Sequence, residues 1–202
     1  MKPQFWWYLA RSSGIVTWVL LALSVLWGLM LSSRMIPLKT APKWLLDMHR
    51  FLGGLAVSFA LVHLAALAAD SYLYFGWREV LLPFASKYEP GAVAWGVVAF
   101  YLLVAVELSS LAMRRLPRRL WRAVHQSSFA VFVLSTVHGF LAGADARNLI
   151  FLMTMSMLIG LTLFALVFRI VTTRMWRSSN VANQRIRRAG DPTGLAPETK
   201  AQ

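Results

Sequence analysis

Histidine occurs in this chain only in two widely spaced pairs, and each pair lies within one apolar segment. His49 and His63 are 14 residues apart in one segment, and His125 and His138 are 13 residues apart in another. At about 1.5 Å of rise per residue, each pair spans about 20 Å along a helix, or two-thirds of a hydrocarbon core about 30 Å thick. An imidazole at such a depth is costly in lipid and usually faces a functional interior. We therefore expect two helices that each place one imidazole near either face of a membrane.

Long apolar stretches dominate the rest of the chain, which has 202 residues and is 58% hydrophobic. Five of them are long enough to cross a bilayer, namely residues 14–31, 45–69, 92–113, 123–142 and 149–171. We predict an all-α integral membrane protein with an interfacial segment over residues 1–13, a five-helix bundle over 14–172 and a basic, disordered cytoplasmic tail over 173–202. The absence of cysteine excludes disulfides, Cys-ligated iron–sulfur clusters and thiol catalysis.

Basic residues are concentrated on one side of these spans. Of the 21 Lys and Arg residues, 16 lie between spans one and two, between spans three and four, near the start of span two, or at and beyond the end of span five. The positive-inside rule then predicts an outer N-terminus and a cytoplasmic C-terminus in a bacterial cytoplasmic membrane. The net charge of +13 is explained by this topology, so it does not indicate nucleic-acid binding. Spans two and four run parallel, which puts His49 level with His125 and His63 level with His138.

Four depth-matched imidazoles on two helices suit two stacked cofactors that each need two axial nitrogens. Interhelical hydrogen bonding and zinc or copper binding are the alternatives, although such metal sites cluster their ligands within one coordination sphere. A 13-residue step leaves two side chains about 140° apart around an ideal helix. We therefore expect a bend or π-bulge in the fourth span. Hydroxyl groups that bond to backbone carbonyls would assist the bend, and the span offers Ser127, Ser128, Ser135 and Thr136.

Two motifs around the histidines are similar to those of a known superfamily. They are Leu46-Asp47-Met48-His49-Arg50-Phe51-Leu52-Gly53-Gly54 with the 14-residue step to His63, and Trp121-Arg122-Ala123-Val124-His125 with the 13-residue step to His138. Over residues 12–172 the chain resembles the ferric reductase-like transmembrane domain superfamily. That superfamily includes ferric reductases, NADPH oxidases and the haem-binding membrane subunit of a periplasmic methionine-sulfoxide reductase.

This resemblance implies a dihaem cytochrome with two b-type haems. The inner haem would be ligated by His49 and His125, and the outer haem by His63 and His138. Electrons would pass from the cytoplasmic side to an external acceptor such as ferric iron, dioxygen or a redox partner protein. The chain would then be an oxidoreductase or the membrane subunit of one.

Several residues near the histidines are candidates for a supporting role. Arg50 and Arg122 are placed to neutralise propionates of the inner haem, with lipid phosphate as the competing partner. Gly53, Gly54 and Gly139 would let a flat macrocycle approach the backbone, although small residues also serve plain helix packing. Glu107, near the cytoplasmic end of span three, either hydrogen-bonds with Ser109 and Ser110 or handles protons near a haem.

The loop of residues 70–90 is rich in aromatic side chains and is expected to cover the outer haem as an interfacial segment. Asp70, Tyr72 and Arg78 within it are candidates for a substrate entrance.

The sequence contains no Rossmann fingerprint and no P-loop, so we expect no flavin or nicotinamide site in this chain. The electron donor would then be a separate cytoplasmic flavoprotein or a membrane quinol. One alternative function is a haem subunit that oxidises quinol and feeds a soluble extracytoplasmic reductase. Another is a haem-free transporter for metal ions or protons.

Overall fold

The computed structural model describes residues 3–33, 42–70 and 75–189, and within these ranges the chain is helical, with turns between the helices. Seven helices are present in the described part: α1 (Pro3–Ser32), α2 (Lys43–Ala69), α3 (Trp77–Leu81), α4 (Pro90–Leu111), α5 (Arg118–Gln126), α6 (Ser128–Ala142) and α7 (Leu149–Ala189). Four of these, α1, α2, α4 and α7, are long and apolar enough to cross a membrane. The chain is therefore an integral membrane protein built from helices.

The predicted fourth span, residues 123–142, is divided between two helices. Ser127 separates α5 from α6, and its N–H donates to the carbonyl of Val124 at 3.0 Å while its hydroxyl donates to the same carbonyl at 2.6 Å. This backbone hydrogen bond joins residues three apart, as in a 3₁₀-helix, and so interrupts the regular hydrogen bonding of an α-helix. Five continuous membrane helices are therefore not confirmed. The interruption falls where the angular mismatch between His125 and His138 predicts a bend.

The two ends of the bundle also differ from expectation. The first helix begins at Pro3, so residues 3–13, which we predicted to be interfacial, are continuous with the first membrane helix. Proline suits the first position of a helix because its missing N–H has no partner there anyway. At the other end, α7 continues to Ala189, so residues 173–189 are helical where we expected disorder. No Gly or Pro occurs between residues 173 and 189. Residues 190–202 lie outside the described part.

Helix α1 holds the bundle together, because it packs along α2 and also contacts α6 and α7. Small buried residues, Ala22 on α1 and Ala56 on α2, allow close packing. Membrane helices associate through such close contact because lipid offers no hydrophobic driving force between them.

One aromatic contact fixes α6 against α1. The ring of Trp18 stacks on that of Phe132 with centroids 5.9 Å apart, and its indole N–H donates to the hydroxyl of Thr136 at 2.9 Å. Both aromatic side chains are buried. This contact helps to hold α6, which carries His138, against α1.

We predict that Phe132→Ala lowers the free energy of unfolding by about 3–5 kcal/mol, because it leaves a cavity beside Trp18. Thermal unfolding of the detergent-solubilised protein, followed by circular dichroism, measures the change. Phe140 lies on the same helix but is 52% exposed. Phe140→Ala is therefore the matched control, with an expected change of about 0.5 kcal/mol or less. Equal losses in the two variants would contradict the packing described.

Candidate functional site

The structure brings the four histidines together in two pairs. His49 on α2 faces His125 on α5 with ring centroids 6.0 Å apart, and His63 on α2 faces His138 on α6 with centroids 6.4 Å apart. The two ring planes are 76° apart in both pairs. These are the neighbours expected from matching the depths of the histidines along their helices.

The spacing within each pair suits two imidazoles on opposite sides of one metal ion. An imidazole nitrogen binds a transition metal at about 2.0 Å, so two rings in line across the ion have centroids about 6.3 Å apart. The observed separations of 6.0 and 6.4 Å bracket this value. Each pair therefore has room for one ion between its two rings.

Hydrogen bonds to neighbouring helices orient the outer pair. His63 Nδ1 lies 2.7 Å from the carbonyl oxygen of Ala10 on α1, and His138 Nδ1 lies 2.8 Å from that of Ala92 on α4. A carbonyl only accepts, so Nδ1 carries the proton in both rings and Nε2 keeps its lone pair. Neither Nε2 has a hydrogen-bond partner among the described residues. A metal-binding histidine is oriented in the same way, by a carbonyl on its other nitrogen.

The inner pair is oriented by hydroxyl groups. His49 Nδ1 lies 3.5 Å from the hydroxyl of Ser24 on α1, and His125 Nδ1 lies 3.3 Å from that of Ser110 on α4. Ser110 in turn donates to the carbonyl of Val106 at 2.8 Å. Nδ1 is thus the nitrogen engaged by the protein in the inner pair as well, which leaves Nε2 for a ligand.

Three glycines let the imidazoles approach these helices. A Cβ on Gly14 would lie 3.0 Å from His63 Nδ1, one on Gly28 3.2 Å from His49 Cε1, and one on Gly96 2.7 Å from His138 Nδ1. A Cβ contact of 2.7 Å essentially never occurs, so a larger residue at position 96 would push the imidazole of His138 away. Contacts of 3.0 and 3.2 Å are tighter than most, so a Cβ at position 14 or 28 would shift the imidazole of His63 or His49 by a few tenths of an ångström. We did not predict these glycines from the sequence. A signal was present, because Gly14 and Gly28 are 14 residues apart, as are His49 and His63.

The glycines and arginines that the sequence did suggest remain candidates for contacts with haem. Gly53 and Gly54 face the carboxylate of Glu107, and a Cβ added to Gly139 would meet no atom within 4 Å. Arg50 and Arg122 are both exposed, and Arg50 lies 3.5 Å from the carboxylate of Asp47. The structure places neither arginine side chain in contact with the paired imidazoles.

An apolar cavity adjoins the outer pair and reaches toward the outer loop. His63 and His138 line it, together with Phe75, Val80 and Tyr88 of that loop. Residues of the described part of the loop therefore line the same cavity as the outer pair.

The other polar residues near the outer end are distributed unevenly. An ion pair between Arg11 and Asp145 lies at the rim of the cavity. Asp70 is buried, Arg78 is exposed and Tyr72 lies outside the described residues. The three candidates for a substrate entrance are therefore not shown to share a site.

The donor set suits a metal complex that brings its own equatorial ligands. Across residues 3–33, 42–70 and 75–189, no three His, Cys, Asp or Glu side chains come together as a bare zinc or copper ion would require. Two imidazoles on opposite sides, with an adjoining apolar cavity, are what a haem needs. The residues present therefore fit haem better than a free metal ion.

A comparison with protein families matches residues 13–136 to the family described as the ferric reductase like transmembrane component. The matched region is more than half of the chain and includes His49, His63 and His125, while His138 lies two residues beyond it. The chain therefore belongs to the ferric reductase-like transmembrane family. Domains of this family generally bind haem and point to electron transfer across a membrane. No curated protein and no solved structure gives a significant match.

We predict that Gly96→Ala weakens haem binding at the outer pair, because the new Cβ would displace the imidazole of His138. Haem content per chain, measured by the pyridine haemochrome assay, should fall in this variant. Gly91→Ala on the same helix is the matched control, since a Cβ there would meet no atom within 4 Å. Haem loss from the control alone, or from neither variant, would contradict the contact.

Proposed function

We propose that this member of the ferric reductase-like transmembrane family conducts electrons across the membrane through two b-type haems. His49 and His125 would hold the inner haem, and His63 and His138 the outer one. The observation that carries the proposal is that all four imidazoles engage the protein through Nδ1 and face each other in pairs at 6.0 and 6.4 Å. Bound haem would supply the one-electron chemistry.

The chain's own residues would position and tune the two irons. Hydrogen bonds from Nδ1 to the carbonyls of Ala10 and Ala92 increase the donor strength of Nε2 and lock the ring orientation. Ligation by two imidazoles would leave no open position on iron, which would favour outer-sphere electron transfer over oxygen binding. The apolar lining of the outer cavity would exclude water from the outer haem.

The path would run from the cytoplasmic side to the exterior. His49 and His63 are 14 residues apart on the continuous helix α2, or about 21 Å along it. Because His125 contacts the first and His138 the second, α5 and α6 together cover the same depth as this part of α2. We therefore propose that α5 and α6 cross the membrane as one interrupted span. In this topology the N-terminus of the chain lies outside and its C-terminus in the cytoplasm.

The donor and the acceptor would be separate molecules. Domains of this family typically work with a separate redox partner, and the present sequence contains no Rossmann fingerprint or P-loop. We propose a cytoplasmic flavoprotein or a membrane quinol as the donor. Ferric iron, dioxygen or an extracytoplasmic redox protein would be the acceptor.

We predict that His63→Ala and His138→Ala each remove about half of the bound haem, because the outer iron loses one of its two axial ligands. The haem that remains should keep a low-spin spectrum, since His49 and His125 are intact. The measurement is haem per chain together with the reduced-minus-oxidised spectrum of the purified protein. Full haem retention in both variants would contradict the assignment of the outer haem.

We predict that α5 and α6 place residue 147 on the opposite side of the membrane from residue 115. Alkaline phosphatase fused after Arg115 should be inactive, and after Arg147 it should be active, because the enzyme matures only outside the cytoplasm. A fusion after Gln202 should again be inactive. Equal activity at residues 115 and 147 would show that α5 and α6 do not cross, and an active fusion after Gln202 would reverse the orientation.

A further inference from the structure

A carboxylate inside the bundle has no role in the site described above. Glu107 is half-buried on α4, and its side chain reaches across to α2. A Cβ on Gly53 would lie 3.0 Å from Glu107 Oε2, and one on Gly54 would lie 3.9 Å from Oε1. The absence of a side chain at Gly53 therefore makes room for the carboxylate, whereas a Cβ at Gly54 would be in ordinary contact with it.

The serines that the sequence suggested as partners of Glu107 are engaged elsewhere. Ser109 and Ser110 both donate to the carbonyl of Val106, at 2.9 and 2.8 Å. Within the described residues the carboxylate of Glu107 has neither a hydrogen bond nor an ion pair. A polar group in this position within a membrane bundle marks a functional site more often than a structural one.

The carboxylate lies beside the inner histidine pair, on the side of the membrane centre. Gly53 follows His49 by one turn of α2, and Glu107 precedes Ser110, the partner of His125, by three residues of α4. Each of these separations corresponds to about 5–6 Å along the helix axis between the carboxylate and the level of the inner pair. The carboxylate is therefore close enough to sense charge added at that pair.

Few other charged side chains lie near the carboxylate of Glu107. On α2, Asp47 and Arg50 are exposed and pair with each other at 3.5 Å. On α5 and in the turn before it, Arg122 and Arg114 are exposed. Apart from Glu107, the titratable groups of α4 and α6 are Tyr101, whose hydroxyl donates to the carbonyl of Leu81 at 2.8 Å, and the distant imidazole of His138.

We propose that Glu107 takes up one proton whenever an electron reaches the inner haem, which rests on the proposed function. When bound haem accepts one electron from the donor, one proton from water would convert the Glu107 carboxylate to a carboxylic acid. Onward transfer of the electron to the outer haem releases the proton. The driving force is electrostatic, because protonation removes the repulsion between the added electron and a carboxylate in a medium of low dielectric constant.

The consequence is a pH-dependent potential at the inner haem. Where one proton accompanies one electron, the reduction equilibrium changes tenfold per pH unit, or about 59 mV for a one-electron couple. This coupling is limited to the pH range in which the carboxyl group titrates. The outer haem, about 21 Å away along α2, should show much less of it.

The test is a spectroelectrochemical titration of the full-length protein between about pH 5 and pH 9. In the wild type, the potential of one haem should fall as the pH rises, and in Glu107→Gln that dependence should disappear. Glu89→Gln is the matched control, because Glu89 is exposed just before the first residue of α4. Redox-induced infrared difference spectra should also show a carboxylic C=O band on reduction, present in the control and absent from Glu107→Gln.

A second variant tests the position of the carboxylate without removing it. Gly53→Ala should weaken the pH dependence, because the new Cβ would displace Glu107 Oε2. A wild-type pH dependence and an unchanged infrared band in Glu107→Gln would overturn this inference while leaving the two haems in place. A wild-type protein that binds no haem would instead contradict the proposed function itself.

Discussion

The site depends on how each imidazole reaches the backbone of a neighbouring helix. A helical carbonyl normally accepts one N–H from four residues later, and its second lone pair is shielded by the side chain at that later position. Ala10 and Gly14 stand in this relation, as do Ala92 and Gly96. Glycine removes the shield, so His63 and His138 can lie over it and donate Nδ1–H to the carbonyl one turn earlier. The direction of each Nε2 follows from this contact.

The same arrangement recurs at the inner level with hydroxyl groups. On α1, Ser24 and Gly28 lie 14 residues after Ala10 and Gly14, respectively. On α4, Val106 and Ser110 likewise lie 14 residues after Ala92 and Gly96. The helix α1 therefore matches α2, which carries two histidines at a 14-residue step. Helix α4 also shows a 14-residue spacing between the residues that contact the imidazoles. The histidines that it faces, on α5 and α6, are only 13 residues apart. The interruption at Ser127 lies between these two histidines, where the shorter step has to be accommodated.

Much of this arrangement could be predicted from the sequence, and the remainder depends on tertiary contacts. Apolar length predicts the helices, and the depth of each histidine predicts its partner. The glycines that the imidazoles contact could not be deduced in the same way. Gly14, Gly28 and Gly96 lie on other helices and acquire their role only when the helices pack. The neighbour of Gly53 and Gly54 could not be deduced for the same reason, since it is a carboxylate on another helix, α4. The helical extension of α7 shows that polar, basic composition does not prevent a helix where Gly and Pro are absent.

The central claim is that each histidine pair holds one iron between two Nε2 atoms. Electron paramagnetic resonance of the oxidised protein tests it most directly, because the signal of ferric haem reports both the number of axial imidazoles and the angle between their planes. With rings 76° apart in both pairs, the account predicts two low-spin signals of the highly anisotropic type that near-perpendicular imidazoles produce. A high-spin signal, which indicates an open axial position, would contradict it.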